Sequence, residues 1–231
     1  MRHLALLGVA FAVTAAACSG DGSSSSSSPS DPNNPPTPPT LYVVALDSGV
    51  VDSITAPAGS IVPVRVHVTT GGIPVSAMTV AWTVGSGHGA LSAASTSTDT
   101  LGVTSVLWTL GDTVGLNSIT AVAGDGSVTW RVAGIAGAAS SLVKVSADSD
   151  AVVAGGTLPL TARVLDRHGN PVAGATVEWS SSGGDLSVKS APTGATGDAE
   201  TNFTAPATAG AYTITASLPG RASVTFEIVA M

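Results

Sequence analysis

Leu165-Asp166-Arg167-His168-Gly169-Asn170-Pro171-Val172-Ala173-Gly174-Ala175-Thr176-Val177-Glu178-Trp179 is the stretch on which the fold is decided. It reads as the end of one strand, a turn at Gly169, Asn170 and Pro171, and a second strand that carries a tryptophan inward. Glycine and asparagine tolerate the backbone angles of a tight turn, and proline presets its own φ. A blurred copy lies earlier: Thr70-Gly71-Gly72-Ile73-Pro74-Val75-Ser76-Ala77-Met78-Thr79-Val80-Ala81-Trp82. Pro74 and Pro171 are separated by 97 positions, and so are Trp82 and Trp179. The expectation is one β-domain written twice.

Working outward, Val64, Val66 and Val68 share one face of a strand whose other face carries Arg65 and His67. Leu160, Ala162 and Val164 form the later file. Gly102 to Trp108 answers to Gly197 to Phe203, and Gly115 to Ala121 to Gly210 to Ala216, both at an offset of 95. The last strands are Ser127 to Val132 and Ser223 to Val229. Small drifts between landmarks are what changes of loop length leave in a duplicated domain. Each copy holds about seven short strands in about 95 residues, and no segment shows a helical apolar period. The sequence therefore predicts an all-β fold of two tandem immunoglobulin-like β-sandwich domains, residues 41–134 and 138–231. A short linker of small residues at about Gly134 to Ser140 predicts limited bending between them.

The run Ala162-Arg163-Val164-Leu165-Asp166, with Gly169-Asn170-Pro171-Val172 and Val177-Glu178-Trp179, resembles the group 1 bacterial immunoglobulin-like domain of intimin and invasin. Thr196-Gly197-Asp198-Ala199 and Ala209 to Ala216 extend the resemblance over nearly all of the second copy. It implies that Trp179 packs at the centre of the sandwich, where antibody domains place a disulfide between the sheets. Facing it are expected Ala162 and Ile214, with Tyr212 also in the structural core. Trp82 is expected to do the same in the first copy, where Gly71-Gly72 replaces Gly-Asn and Asn117 stands in place of Tyr212. Trp108 and Trp130 alternate in phase with apolar neighbours and read as core; an exposed binding aromatic is the other reading.

The amino terminus reads as a targeting segment. Arg2 and His3 precede an apolar run from Leu4 to Ala17, too short to span a bilayer comfortably. Thr14-Ala15-Ala16-Ala17-Cys18-Ser19 resembles the lipobox of bacterial lipoproteins. That resemblance implies a signal peptide at 1–17, lipid attachment (palmitate among the acyl chains) at Cys18, and outer-membrane sorting through Ser19. An ordinary secretory signal cut near Ala17 is the alternative, and would leave a free thiol. Ser23 to Ser28 and six prolines between Pro29 and Pro39 make 18–40 a disordered Ser/Pro tether. No other apolar run reaches about 18 residues, so the expected membrane contact is the lipid anchor alone.

A net charge of −7 with scattered basic residues argues against a nucleic-acid partner. His67, His88 and His168 stand at no metal-ligand spacing, and no serine has a paired base. No catalytic residue, metal, cofactor or small-molecule substrate is expected. Asp148, Asp150 and Asp166 are a weak signal for structural calcium against solvated turn residues. Asn202-Phe203-Thr204 fits a glycosylation triplet, an accidental match in a bacterial lipoprotein. The expectation is a non-enzymatic, lipid-anchored envelope protein for cell-surface adhesion or structural interaction, with a protein or glycan ligand. The alternative is a glycan-binding module for polysaccharide or cell wall.

Overall fold

The computed structural model describes residues 42–46, 54–146 and 151–231. Every regular element in them is a β-strand. The first half runs β1 (Tyr42–Leu46), β2 (Ile54–Pro57), β3 (Ile61–Thr70), β4 (Ile73–Pro74), β5 (Thr79–Val84), β6 (Ala90–Leu91), β7 (Ser95–Ser97), β8 (Val103–Thr109), β9 (Gly115–Ala123) and β10 (Gly126–Ile135). One sheet is ordered β1-β3-β8-β6 with β4 beside β3, and the other β2-β10-β9-β5-β7.

The second half repeats this plan with β11 (Ala139–Lys144), β12 (Ala151–Val152), β13 (Thr157–Asp166), β14 (Thr176–Ser181), β15 (Asp185–Leu186), β16 (Ser190–Pro192), β17 (Asp198–Thr204), β18 (Gly210–Leu218) and β19 (Ala222–Ala230). Its sheets are ordered β11-β13-β17-β15 and β12-β19-β18-β14-β16. β4 is reduced to the bridge between Leu165 and Pro171, and β12 is shorter than β2. In each half the opening segment crosses sheets: β1 and β11 pair antiparallel with β3 and β13, whereas β2 and β12 run parallel to β10 and β19.

Alternation builds the cores. Val62, Val64, Val66 and Val68 point inward from β3, and Leu160, Ala162 and Val164 from β13. β5 and β14 share one order of buried and exposed positions, as do β8 and β17. Each half encloses its own buried apolar cluster, and all four tryptophans are buried. With a single cysteine in the chain, at position 18, apolar burial has to do what a disulfide between the sheets does elsewhere.

At two matching core positions the first half carries Trp and the second Phe. Trp108 and Trp130 sit 6.3 Å apart in the first half. Their counterparts are Phe203, tilted against Tyr212 at 6.2 Å, and Phe226, stacked on Trp179 at 5.9 Å. Trp179 thus faces an aromatic ring as well as the aliphatic cluster containing Ala162 and Ile214. The Trp82 indole N–H donates to Thr96 Oγ1 at 2.8 Å. At the matching place the second half carries Ala191, and the Trp179 indole N–H is buried without a partner. An unmatched buried donor costs free energy that a matched one does not.

Removing Trp179 should therefore cost ~3–5 kcal/mol, read from chemical denaturation of the full chain; a loss under ~1 kcal/mol would contradict its central packing. Thr96→Ala should destabilise by ~1–3 kcal/mol, whereas Ala191→Thr should stabilise by ~0.5–1.5 kcal/mol.

Candidate functional site: the junction between the two halves

The inward file of β13 ends in a carboxylate. Leu160, Ala162 and Val164 are followed at the same pitch by Asp166, which is only 3% exposed. A carboxylate carried that deep needs donors, and the turn after β13 supplies them. Asp166 Oδ1 accepts from the backbone N–H groups of His168 and Asn170 at 2.8 and 2.9 Å. Its Oδ2 accepts from the Gly137 N–H at 2.8 Å and from Asn170 Nδ2 at 3.0 Å. The loop closes with Gly169 N–H donating to the Asp166 carbonyl and Asp166 N–H to the Asn170 carbonyl. Gly169 takes φ +84°, a left-handed position that completes a three-residue loop.

This loop reaches into the first half. Asn170 Nδ2 donates to the Asp112 carbonyl at 2.7 Å, and Asn170 Oδ1 accepts from the Val114 N–H at 3.1 Å. His168 Nδ1 lies 3.0 Å from Asp112 Oδ1, while Arg167 Nε donates to His168 Nε2 at 2.7 Å. Asn170 is itself buried, so one amide satisfies both halves at once. The expected linker is shorter than its composition implied: Gly134 and Ile135 still belong to β10, and Ala139 and Ser140 already belong to β11. Only 136–138 lie outside strands, and Gly137 among them is held by Asp166. The described residues belong to one compact unit.

Asn117 completes the arrangement from the other side. In the second half the matching Tyr212 hydroxyl donates to the Thr208 carbonyl at 3.0 Å, bracing the approach to β18. Asn117 accepts from the Gly111 N–H at 3.0 Å and donates to the Gly115 carbonyl at 3.1 Å. It thereby fixes the loop that presents Asp112 and Val114. The two asparagines that break the repeat, Asn117 and Asn170, thus hold the same 111–115 loop, one from each half. The position matching Asn170 in the first half is Ile73, which is 69% exposed, so the outer end of that half has no equivalent clamp.

Of the residues singled out from the sequence, Gly169, Asn170 and Pro171 form this loop, and Trp82, Trp179 and Ile214 lie in the cores. Tyr212 is partly buried against the second core. Cys18 and Ser19 lie outside the described residues, as do Asp148 and Asp150. Both oxygens of Asp166 are already engaged by N–H donors, which leaves it poorly suited to a cation. Among the described residues, no three His, Cys, Asp or Glu side chains come together as metal ligands. Asp112 and Gly137 read from the sequence as an ordinary turn residue and an ordinary linker residue, and Val114 as neither, so nothing local marks them as partners of Asn170 and Asp166.

Residues 142–229 match the family model of the bacterial Ig-like domain (group 1). The first half lies outside that match but repeats its strand order and burial. Among solved structures, the Escherichia coli adhesin FdeC is similar at 16% identity and a TM-score of 0.56, over 82% of this chain and 63% of its own. Invasin, a bacterial integrin-binding protein, aligns at 23% identity over 83% of this chain and 40% of its own, with a TM-score of 0.40. The D0-D1 domain of intimin aligns at 21% identity over 83% of this chain and 100% of its own, at 0.36. At this identity the FdeC likeness shows the shared fold. No curated protein matches the sequence.

Asn170→Ala should cost ~1–3 kcal/mol and split one calorimetric transition into two, since it strips the shared amide from both halves. A single unshifted transition would contradict the clamp. Acid should act on the same place. Burial pushes the Asp166 carboxyl up, but its hydrogen bonds, led by Gly137, outweigh this and bring its pKa from 3.8 to about 2. The hydrogen bond from Arg163 to Asp198 lowers that carboxyl too. Stability from a depressed carboxyl is present above its unfolded pKa and lost as pH falls through the folded one. The melting temperature should therefore fall between pH about 4 and about 2, less steeply in Asp166→Asn. An unchanged slope in that variant would remove Asp166 from the account.

Proposed function

We propose that the protein is a non-enzymatic, lipid-anchored envelope protein whose two Ig-like sandwiches form a stiff head for adhesion or structural interaction. Its domains on this reading are 41–134 and 138–231, raised from the outer membrane on the 18–40 tether by acyl chains on Cys18, with Ser19 directing sorting. The observation that carries the reading is the shared Asn170 clamp. A hinge that served catalysis or ligand closure would leave its loops free to move, whereas here a buried amide and a buried carboxylate tie the two halves together. That suits a spacer that presents a surface at a set distance. Two or more acyl chains, at roughly 0.8 kcal/mol per buried methylene, would hold it stably in the membrane.

The expected partner is a protein on or near the cell surface. FdeC, whose fold this chain shares, is an adhesin, and the use proposed here is of that kind. A glycan-binding module would need exposed rings on which sugars stack, and Trp82, Trp108, Trp130 and Trp179 are all buried.

Radiolabelled palmitate should enter the wild-type chain and not Cys18→Ala, and protease added to intact cells should remove the head. Label retained in the alanine variant would sink the anchor at Cys18. A head that survives shaving of intact cells but not of lysed ones would move the protein to the periplasmic face.

A further inference from the structure

The junction also leaves an open cleft of about 350 Å³ beside the clamp. The first half contributes Pro57 and Ala58 to it, and the second half Ser140, Arg167, His168 and Arg221. No carboxylate lines it. The chain has only 8 basic residues against a net charge of −7, so two arginines on one cleft depart sharply from the rest of the molecule. Among the described residues, neither Arg167 nor Arg221 meets a carboxylate.

Both arginines are held on built loops. Arg167 is tied through its Nε to His168, which is tied in turn to Asp112 of the first half. Arg221 closes the turn that joins β18 to β19, its N–H donating to the Leu218 carbonyl at 3.0 Å. Pro219 and Gly220, the latter at φ +70°, occupy the two central places that a type II turn reserves for such residues. In the first half the position matching Arg221 is Asp125, whose carboxylate accepts from the Tyr42 N–H at 2.8 Å. The same hairpin thus carries opposite charge in the two copies, and only the copy at the junction presents a cation.

We propose that this cleft binds an acidic side chain of a partner protein, with the carboxylate taken between the guanidinium groups of Arg167 and Arg221. A guanidinium offers a planar fork matched to a carboxylate, and two forks on separate loops can engage both oxygens. Pro57 and Ala58 give the methylenes of a glutamate or aspartate an apolar wall. No Trp, Tyr or Phe lines the cleft, and the His168 ring is engaged at both nitrogens by Asp112 and Arg167, which favours a peptide carboxylate over an acidic glycan. Because the walls come from both halves, the site exists only while the clamp is closed.

The test uses the detergent-solubilised full chain and a fluorescein-labelled oligoglutamate peptide, titrated by anisotropy at low salt. Surface location and lipid attachment do not enter this measurement, so its outcome is separate from theirs. Arg221→Gln and Arg167→Gln should each weaken binding about ten-fold. Arg131→Gln, which removes the same charge from an exposed position on β10 away from the cleft, should change it less than about two-fold. Arg221 makes no contact in the clamp, so its variant reports on the cleft even if Arg167→Gln disturbs the fold. Absence of oligoglutamate binding would overturn the proposal, as would an equal loss in Arg131→Gln, which would mean diffuse attraction. Tighter binding of oligogalacturonate with the same dependence on Arg221 would also overturn it and assign the cleft to an acidic glycan.

Discussion

A carboxylate placed at the end of an apolar file must be given hydrogen-bond donors or be expelled. Asp166 is given four, and the shape of the junction follows from where they come from. Two lie in its own loop backbone, one on the three-residue connector, and one on the side chain of Asn170. Satisfying the charge therefore fixes the loop, and pins the connector at Gly137. It also turns the Asn170 amide so that its remaining capacity faces Asp112 and Val114. The relation between the two halves is set by the need to supply one buried charge with donors.

Duplication explains the scaffold, and divergence explains the junction. Where the copies agree, they agree on burial: the inward positions of β5 and β14 and of β8 and β17 are interchangeable in pattern. Where they differ in the cores, a ring is kept but its size changes, with Trp108 and Trp130 against Phe203 and Phe226. Such exchanges keep a core filled while changing which polar edge needs a partner. Where they differ at the ends, the differences gather at one interface. Asn117, Asn170, Arg167 and Arg221 have no like counterparts, and each touches the clamp or the cleft beside it.

The strands and inward files were legible because the side-chain period of a strand writes itself into the sequence. The offsets of 95 and 97 positions exposed the copies through the same residues that fill the cores. The site was only half legible. Asn170 reads as a turn residue, and it is one, but its other partners stand 58 and 56 positions away in a different copy. Nothing local distinguishes an asparagine that shapes a turn from one that also bridges an interface. Phe226 alternates with exposed neighbours along β19, yet its stacking on Trp179 depends on strand order, because β18 brings β19 and β14 into one sheet. Arg221 looked like one scattered cation, because what makes it notable is its meeting with Arg167 across the fold.

The crossing of the opening segment between sheets has a mechanical consequence. Because β2 runs parallel to β10, tension drawn through the two ends of the first sandwich slides one strand along the other. The rungs from Ile54 to Pro57 then share the load together instead of parting one after another. Among the described residues β12 offers the same geometry with two rungs, at Ala151 and Val152. Pulled along its length, the first sandwich therefore meets the load with all of its own rungs at once.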